Sequence, residues 1–268
     1  MAPPDPLFLA TAVETVLRAG DIQMARFGTA MRVDKKGTID LVTEVDLAVE
    51  SMFRELVAAR FPDHRVLAEE LESVGEGDSP YCWIFDPIDG TTNYAHGLPI
   101  FCASLALERE GRPIVAAVYD PTRRELFTAE RGGGARLNGA LIRVSDAGTL
   151  IDALLCTGFP YNVHETVGEV VGLFGAFVGR ARAVRRLGSA ALDLCYLAAG
   201  RFDGFWEQQL RPWDTAAAAL IVEEAGGRVT SFSGAPFQSR EGTVVASNGP
   251  LHDEMLGTIR SFHASSGR

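Results

Sequence analysis

The sequence has few cysteines and no long uncharged apolar stretch. None of the cysteines belongs to a CxxC pair, and each lies inside an apolar run; they are Cys82, Cys102, Cys156 and Cys195. This pattern favours buried, reduced thiols over disulfides or a zinc site. The first apolar stretch has no basic residues before it and is interrupted by Glu14 and Arg18, which argues against a signal peptide or a membrane span. We therefore expect a cytoplasmic protein.

Positive charge is also scarce. Lys and Arg number 25 against 35 Asp and Glu, which gives a formal net charge of -10. A protein that follows the phosphate backbone of a nucleic acid needs a basic face, so no extended nucleic-acid surface is expected. The acidic excess also has a plain explanation, because net charge keeps a protein soluble. With 268 residues, 47% of them hydrophobic, the chain is long enough for one large domain or two fused lobes.

Helical periodicity dominates the beginning of the chain, and strands follow. Apolar residues recur at helical spacing over residues 7–27 and 43–60, with the polar hairpin "DKKGTIDL" between them. The runs "YCWIFD", "CASLALER", "IVAAVYD" and "ELFTAE" are separated by turn residues and predict a largely antiparallel sheet. The glycine-rich "RGGGARLNG" favours a hairpin or bulge over a linker.

The second half of the chain alternates strands with helices. The predicted strands are "ALLCTG", "DGFWE", "GRVTSF" and "TVVASN", and the predicted helices lie near residues 164–179, 189–199, 213–225 and 250–262. A strand-rich region followed by a mixed region predicts an α/β or α+β layered domain.

The segment "WIFDPIDGTTN" (residues 83–93) concentrates residues that can do chemistry. Pro87 restricts Asp86 to an extended conformation, so "DPID" is expected to form a turn that ends the strand and brings Asp86 and Asp89 together. Two such carboxylates repel each other unless a proton or a cation lies between them, and oxygen ligands suit Mg²⁺. Gly90 permits close backbone approach, and Thr91 can begin a helix whose N–H groups face an anion. An Asx-type turn with a helix cap explains the same residues equally well.

Other acids each have an ordinary explanation when they are taken singly. Glu69 and Glu70 follow the apolar run "RVLA", at the end of a predicted strand. Asp46 lies in the first turn of a predicted helix, where a carboxylate interacts favourably with the helix dipole. Asp214 lies at another helix start, which is a common capping position. Only the whole set suggests a shared purpose.

Taken in order along the chain, these blocks resemble the inositol monophosphatase family. "DPIDGTTN" and "PWDTAAAALIVEEAGG" look like the two signatures of that family, and "DLVTEVD", "AEE" and "GSAALDLCYLAAGRFDGFWE" match its other blocks. The resemblance covers residues 7–262 and is closest to the bacterial branch. It implies an α-β-α-β-α sandwich of helices and mixed or antiparallel sheets. It also implies one domain over residues 1–268, with a metal and phosphate lobe (about 1–145) and a substrate lobe (about 146–268).

The resemblance also implies an active site. Glu69, Asp86 and the Ile88 carbonyl would hold one Mg²⁺; Asp86, Asp89 and Asp214 would hold a second; Glu69 and waters would hold a weaker third. Thr91, hydrogen-bonded to Asp46, would help Glu69 to orient the attacking water. Substrate contacts are implied for Asp89, Gly90, Thr91, Arg185, Gly188, Ser189, Ala190, Glu207 and Asp214. Lys35 matches a lysine in the metal-site hairpin of relatives, and Glu70 is expected to be a surface acid or one that supports a ligand.

The activity implied by the resemblance is Mg²⁺-dependent hydrolysis of myo-inositol monophosphate, with inhibition by Li⁺ and a homodimeric assembly. The strands "FCASLALE" and "IVAAVYD" and the segment "GFPYN" support a dimer, because they offer more apolar surface than one sheet face can hide. Histidinol phosphate, fructose 1,6-bisphosphate and adenosine bisphosphate are alternative substrates on the same scaffold. A regulatory role in RNA metabolism through protein contacts is an alternative of another class.

Two residues depart from the pattern of the family. Ala218 stands where relatives usually carry glycine; alanine is better than glycine in a helix interior by roughly 1 kcal/mol, so stability need not suffer. The local packing of that helix must then differ. Leu187 replaces a smaller residue just before "GSAA", which puts substrate selectivity in question. No implied metal ligand is missing.

Overall fold

Helices and strands follow one another in the order that the sequence pattern predicts. The computed structural model describes residues 5–30, 32–36, 40–73 and 79–265. The helices are α1 (Pro6–Arg26), α2 (Glu44–Arg60), α3 (Thr91–Ala95), α4 (Val163–Val178), α5 (Ala190–Ala198), α6 (Pro212–Glu224) and α7 (His252–Ser265), with a 3-10 helix over Leu150–Asp152. The strands are β1 (Val33–Lys35), β2 (Leu41–Thr43), β3 (Arg65–Ala68), β4 (Tyr81–Asp89), β5 (Cys102–Arg109), β6 (Arg112–Asp120), β7 (Glu125–Glu130), β8 (Gly134–Leu137), β9 (Ala140–Leu141), β10 (Leu154–Thr157), β11 (Ala183–Arg185), β12 (Gly204–Gln208), β13 (Arg228–Thr230) and β14 (Thr243–Ser247).

A seven-stranded sheet in the order β3-β4-β5-β6-β7-β8-β9 forms the larger of the two main sheets. Its pairs are antiparallel except β3 with β4, which is parallel. Side chains of β4 alternate between two cores: Trp83 and Phe85 pack with α1 and α2, whereas Cys82 and Ile84 pack with α5 and α6. Because helices cover both faces of the sheet, the sequence of β4 is a continuous apolar run.

The second main sheet has five strands, in the order β11-β10-β12-β14-β13. Helices α4 and α7 cover its outer face, where Phe177 stacks on Trp206 with 3.9 Å between ring centroids. Helices α5 and α6 lie between the two sheets, and the alanines 216–219 of α6 are fully buried. Their small side chains let the backbone of α6 approach its neighbours closely, and Ala218 is one of them. The layers run α-β-α-β-α, which confirms the predicted fold class.

The "DPID" segment differs from its prediction. Strand β4 does not end in a turn at Asp86 but continues to Asp89, with a shift of register against β5 between these two residues. The Ile88 N–H donates to the Asp86 carboxylate (3.0 Å), so this part of the strand bulges and bonds locally. A bulge brings Asp86 and Asp89 to the same region without ending the strand.

Strands β5 and β6 do not carry the surplus apolar surface that was expected to favour a dimer. Leu105 and Leu107 belong to the core on the α1 and α2 side of the sheet, and Cys102 and Ala106 belong to the core on the other side. That part of the prediction is wrong, because helices of the same chain cover both faces. Exposed apolar side chains occur instead in the "GFPYN" segment and on α4, at Tyr161, Val167, Val171 and Val178.

The buried position predicted for the cysteines is confirmed. All four cysteines are free and buried. Among the residues that the structure describes, no helix combines the length and the apolar character that crossing a membrane requires.

His252 is a buried titratable group outside the acid-rich region, and it generates a prediction on stability. Its ring nitrogens contact the hydroxyls of Thr230 (2.8 Å) and Ser247 (3.0 Å), and burial lowers its pKa to about 4. The folded protein therefore holds a neutral ring, whereas the unfolded chain binds a proton below about pH 6.5. The stability from this group is present above pH 6.5 and is lost as the pH falls towards 4, by on the order of 2–3 kcal/mol.

Urea unfolding of the wild type and of His252→Asn at pH 4.5, 5.5 and 7 measures this loss. We expect the difference in stability between pH 7 and pH 4.5 to shrink in His252→Asn and to persist in His263→Asn, whose ring lies on the same helix. An unchanged pH dependence in His252→Asn would show that His252 does not carry it.

Candidate active site

The acids singled out in the sequence gather where β4 ends and where helices α3, α5 and α6 begin. Asp89 connects these elements: its Oδ2 accepts from the Ser189 hydroxyl (2.6 Å) and from the Ala191 N–H (2.7 Å) at the start of α5. The bonds give the first turn of α5 an acceptor that its own N-cap side chain does not provide. Burial raises the pKa of Asp89 to about 6, although the hydrogen bonds from Ser189 and Ala191 oppose the shift.

Asp46 has two roles, one for each carboxylate oxygen. Its Oδ2 accepts from the backbone N–H (2.7 Å) and the hydroxyl (2.5 Å) of Thr43, which forms a capping box at the start of α2. Its Oδ1 lies 3.4 Å from the Thr91 hydroxyl, which also donates to the Ile88 carbonyl (2.8 Å). Asp46 is fully buried, and this burial raises its pKa to about 6. The helix cap and the contact with Thr91 therefore coexist.

Glu69 follows β3 and is paired with a lysine that the sequence analysis did not single out. Lys36 Nζ lies 2.6 Å from Glu69 Oε1 and 2.8 Å from Glu70 Oε1. Burial acts to lower the pKa of Lys36, but Glu69 and Glu70 together raise it above its usual range. Lys35 is exposed in β1, so the lysine that reaches the acids is its neighbour.

Glu70, the second acid paired with Lys36, has a buried side chain. Its side chain is only 3% exposed, so the surface position considered in the sequence analysis is wrong. Its backbone N–H donates to Glu50 (2.8 Å), a buried residue of α2. Burial, followed by the charge of Glu69, raises the pKa of Glu70 to about 7.

Asp86 and Asp214 complete the set. Asp86 is 2% exposed; burial raises its pKa well above its usual range, and the charges of Glu69, Asp89 and Asp214 add to the shift. Asp214 lies in the first turn of α6, where its Oδ2 accepts from the Arg211 N–H (2.6 Å). Burial and the charge of Asp89 also raise the pKa of Asp214 well above its usual range. The acids are close enough to oppose one another's ionisation.

A hard divalent cation fits this donor set. In the described part of the chain, no three His, Cys, Asp or Glu side chains are spaced as a ready metal site. The contacts explain why: Lys36 holds Glu69, and Asp89 and Asp214 each turn one oxygen to backbone N–H groups. Buried carboxylates that repel one another need protons or cations to compensate their charge, and the ammonium of Lys36 provides this at Glu69. Oxygen-only donors of this type are the ligands that Mg²⁺ prefers.

Gly90 and Asn93 shape the backbone beside the acids. Gly90 has φ +100°, and a Cβ there would lie 2.9 Å from the Ile100 carbonyl oxygen, so only glycine fits. The Asn93 amide donates to the carbonyls of Ile100 and Leu187, each at 2.9 Å. Asn93 therefore ties α3 to the loop before α5, which contains Gly188. No local pattern in "GTTN" indicates this role of Asn93, because its partner Leu187 is 94 positions away.

Glu207 is a buried acid on the β12 side of the site. It is 8% exposed, and its carboxylate lies against Gly158, where a Cβ would come within 2.2 Å of it. Burial raises the pKa of Glu207 well above its usual range; the charge of Asp193 acts in the same direction, and that of Arg186 opposes it.

Two neighbouring arginines differ in their contacts. Arg185 is exposed, and its guanidinium donates to the Val184 carbonyl (3.2 Å). Arg186 lies over the Phe159 ring (5.6 Å to the centroid) and within electrostatic range of Glu207. Arg186 is therefore the arginine that the structure brings towards the buried acid, while the prediction named Arg185.

The arrangement has the parts that phosphoryl transfer needs. A set of carboxylates can hold cations, Thr91 lies between the Asp46 carboxylate and the Ile88 carbonyl, and the N–H groups of α3 begin beside Asp89. Glu207 lies on β12, and Ser189 and Ala190 lie at the start of α5; all three are buried. Electrostatic stabilisation and positioning dominate in such sites.

Comparison with known proteins gives a consistent result. The model of the inositol monophosphatase family matches residues 7–265. The chain is 42% identical over 249 residues to a protein named inositol-1-monophosphatase from Synechocystis sp., covering 92% of this chain and 87% of that one. It is also 42% identical over 254 residues to Nus factor SuhB of Escherichia coli, covering 94% and 95% of the two chains.

The fold is shared with solved structures. An inositol monophosphatase from Anabaena (Nostoc) sp. superimposes with a TM-score of 0.87 at 40% sequence identity, covering 95% of this chain and 96% of that chain.

The close approach at Gly90 generates a prediction with a matched control. Gly90→Ala introduces a left-handed alanine and a clash with the Ile100 carbonyl, whereas Gly97→Ala (φ +72°) introduces a left-handed alanine with no atom within 4 Å. Gly97→Ala should therefore cost only the backbone strain of about 1–2 kcal/mol, and Gly90→Ala clearly more. Urea unfolding and phosphate release measure both variants. Equal stability and equal activity would show that the backbone at Gly90 does not depend on the absence of a side chain.

Proposed function

The chain belongs to the inositol monophosphatase family of phosphatases, and on that premise we propose that it is a Mg²⁺-dependent phosphomonoesterase that hydrolyses myo-inositol monophosphate. The observation that carries the proposal is the convergence of Glu69, Asp86, Asp89 and Asp214. These acids come from three separate parts of the sequence, and they oppose one another's ionisation. The mutual repulsion within such a set is destabilising unless it is compensated, so a ligand that compensates the charge is the simplest reason for it.

The family resemblance assigns the residues that would hold each Mg²⁺. Glu69, Asp86 and the Ile88 carbonyl would hold one ion, Asp86, Asp89 and Asp214 a second, and Glu69 with waters a third. When bound, the ions supply activation of a water molecule and neutralisation of charge on the leaving oxygen. When Glu69 binds an ion, the ammonium of Lys36 must move away from its carboxylate or share the carboxylate with the ion. Lys35 would have a supporting role in the same hairpin.

Thr91 and Asp46 would position the attacking water together with Glu69. The Thr91 hydroxyl proton points to the Ile88 carbonyl or to Asp46, so the lone pairs of its oxygen remain able to accept from a water. Asp46 is fixed in turn by the capping box with Thr43. The backbone N–H groups at Gly90 and Thr91 would bind the phosphate oxygens at the start of α3.

Glu207 would recognise the alcohol part of the substrate. A buried carboxylate without a strong donor is costly, and the hydroxyls of a polyol supply donors. Gly188 and Ala190 flank Ser189, whose hydroxyl donates to Asp89. Arg186 adds a positive charge near Glu207. These contacts favour a polyol monophosphate over the other substrates of the scaffold, which need additional cationic or base-stacking contacts.

Phosphate release from a panel of esters tests the proposal. Inositol 1-phosphate should be hydrolysed with Mg²⁺ and not in excess EDTA, and faster than histidinol phosphate, fructose 1,6-bisphosphate or adenosine bisphosphate. A different preferred ester would keep the phosphatase and replace the substrate. No hydrolysis of any of the four with Mg²⁺ would overturn the proposed activity.

A regulatory role is a second candidate, because a relative of 42% identity over nearly the whole chain is named Nus factor SuhB. The two functions are compatible, since a second role through protein contacts does not require the acids. Capture of partners from a lysate with the wild type and with Asp89→Asn tests whether the regulatory function is independent of the phosphatase function. Partners that bind both forms equally support a regulatory role that does not depend on catalysis.

Assembly and inhibition complete the proposal. We expect a homodimer, supported by the exposed valines 167, 171 and 178, which recur along α4 near helical spacing. We also expect Li⁺ to inhibit by competing at the second Mg²⁺ position, and a cytoplasmic location. Sedimentation and an assay in Li⁺ test the first two expectations.

The metal assignment predicts the effect of Asp89→Asn. The amide keeps an oxygen acceptor for Ser189 and Ala191 but loses the charge that a cation needs, so turnover should fall by on the order of a hundredfold or more while the fold persists. Circular dichroism and phosphate release at saturating Mg²⁺ provide the measurement, with Asp253→Asn, which changes an exposed acid, as the control. Turnover close to that of the wild type would remove Asp89 from the metal site.

The substrate assignment predicts a selective effect of Glu207→Ala. Its kcat/KM for inositol 1-phosphate should fall more than its kcat/KM for p-nitrophenyl phosphate, because only the polyol has hydroxyls for the carboxylate to accept from. Glu207→Gln keeps the shape against Gly158 and separates the loss of charge from the loss of volume. An equal fall for both esters would show that Glu207 does not read the alcohol.

A further inference from the structure

A cavity separate from the acid set lies beside the C-terminal half of α6. Its volume is about 830 Å³, which is within the range of small-molecule sites. Its walls come from the β5–β6 hairpin, from α6 and from the segment that follows β13. Asp214 and Glu223 lie nine positions apart on α6, which corresponds to about 14 Å along the helix. The cavity and the acid set therefore face opposite ends of one buried helix.

The charge of this cavity is opposite to that of the chain. Arginines outnumber acids among its lining residues, with Arg109, Arg112, Arg131 and Arg240 against Glu110 and Glu223, in a protein whose formal net charge is -10. Guanidinium groups match phosphate and carboxylate oxygens in geometry as well as in charge.

Two of these guanidinium groups are held in place by the protein. Arg131 donates to the Pro113 carbonyl (2.9 and 3.1 Å) and to Glu223 (2.6 Å). Arg240 donates to Glu108 (2.9 Å), a buried acid that also accepts from Ser239 (2.8 Å). Because these contacts use only some of the five N–H groups of each arginine, the remaining donors are positioned in advance for a ligand.

The other two arginines lie opposite each other on the hairpin. Arg109 and Arg112 are direct cross-strand partners on either side of the two-residue turn at Glu110 and Gly111. Directly opposed residues project to the same face, and like charges in this position are destabilising. One anion can contact both guanidinium groups from that face.

Part of the cavity lining is apolar. Ile114 on β6 and the ring of Phe237 are only partly buried, whereas the side chains of Leu220 and Val229 are already covered by the core. An inorganic anion would leave this surface and most of the volume unused. We propose that the cavity is a second ligand site, which binds a small phosphorylated molecule with a flat apolar body, of the nucleoside phosphate class. The phosphates would contact the arginines, and the body would pack on Ile114 and Phe237.

Calorimetric titration with ADP in excess EDTA tests this site, because phosphate binding among the acids requires a metal in the proposed mechanism. One ADP should bind per chain. Adenosine lacks the anion and pyrophosphate lacks the apolar body, so each should bind at least about tenfold more weakly than ADP. Absence of ADP binding at millimolar concentration, or pyrophosphate binding as tightly as ADP, would overturn the proposal.

Variants locate the bound ADP. Arg112→Ala removes a guanidinium that makes no ion pair with any described residue, and it should weaken ADP at least about tenfold while phosphate release stays unchanged. Arg180→Ala, on an exposed arginine after α4, is the matched control and should bind ADP as the wild type does. Unchanged ADP affinity in Arg112→Ala would overturn the assignment, and so would loss of ADP binding in Asp89→Asn, which would place the ligand among the acids.

Discussion

Mutual repulsion among buried carboxylates is the constraint on which the arrangement of this protein depends. The charges of Glu69, Asp89 and Asp214 raise the pKa of Asp86, and those of Asp89 and Glu69 raise the pKa of Asp214, in a region where burial alone already disfavours charge. Such a set persists only if protons, cations or donors compensate it. Among the described residues, the ammonium of Lys36 compensates Glu69, and backbone N–H groups at helix starts donate to Asp89 and Asp214.

Two of these acids, together with Asp46, also fix the starts of helices. Asp46 caps α2, Asp214 caps α6, and Asp89 accepts from the first turn of α5. Each therefore fixes the start of a helix with one oxygen, and this fixes the position of the other oxygen. An ordinary structural role and a place in the proposed active site are not alternatives here, because the cap is what orients the carboxylate. The buried alanines of α6 then bring this helix between the two sheets.

Local patterns predicted much of this, and long-range contacts limited the rest. The apolar runs predicted β4, β5 and β6 because strands covered on both faces are continuously hydrophobic, and the motif blocks identified the acids. The sequence could not show that Lys36 and not Lys35 reaches Glu69, or that Arg186 and not Arg185 lies near Glu207, because adjacent residues differ only in the direction of their side chains. Asn93 was passed over since its partner is distant in sequence. The expected dimer surface on β5 and β6 was wrong because a strand sequence does not reveal how many helices cover it.

The central claim is that this acid set exists to bind divalent cations, and thermal unfolding tests it most directly. A ligand that binds only the folded state raises the melting temperature, and the protein freed of metal by EDTA should be stabilised by Mg²⁺ more than by Na⁺ at equal ionic strength. The account predicts a melting temperature that rises with Mg²⁺ concentration in the wild type. An identical melting temperature in EDTA, in Na⁺ and in excess Mg²⁺ would contradict it.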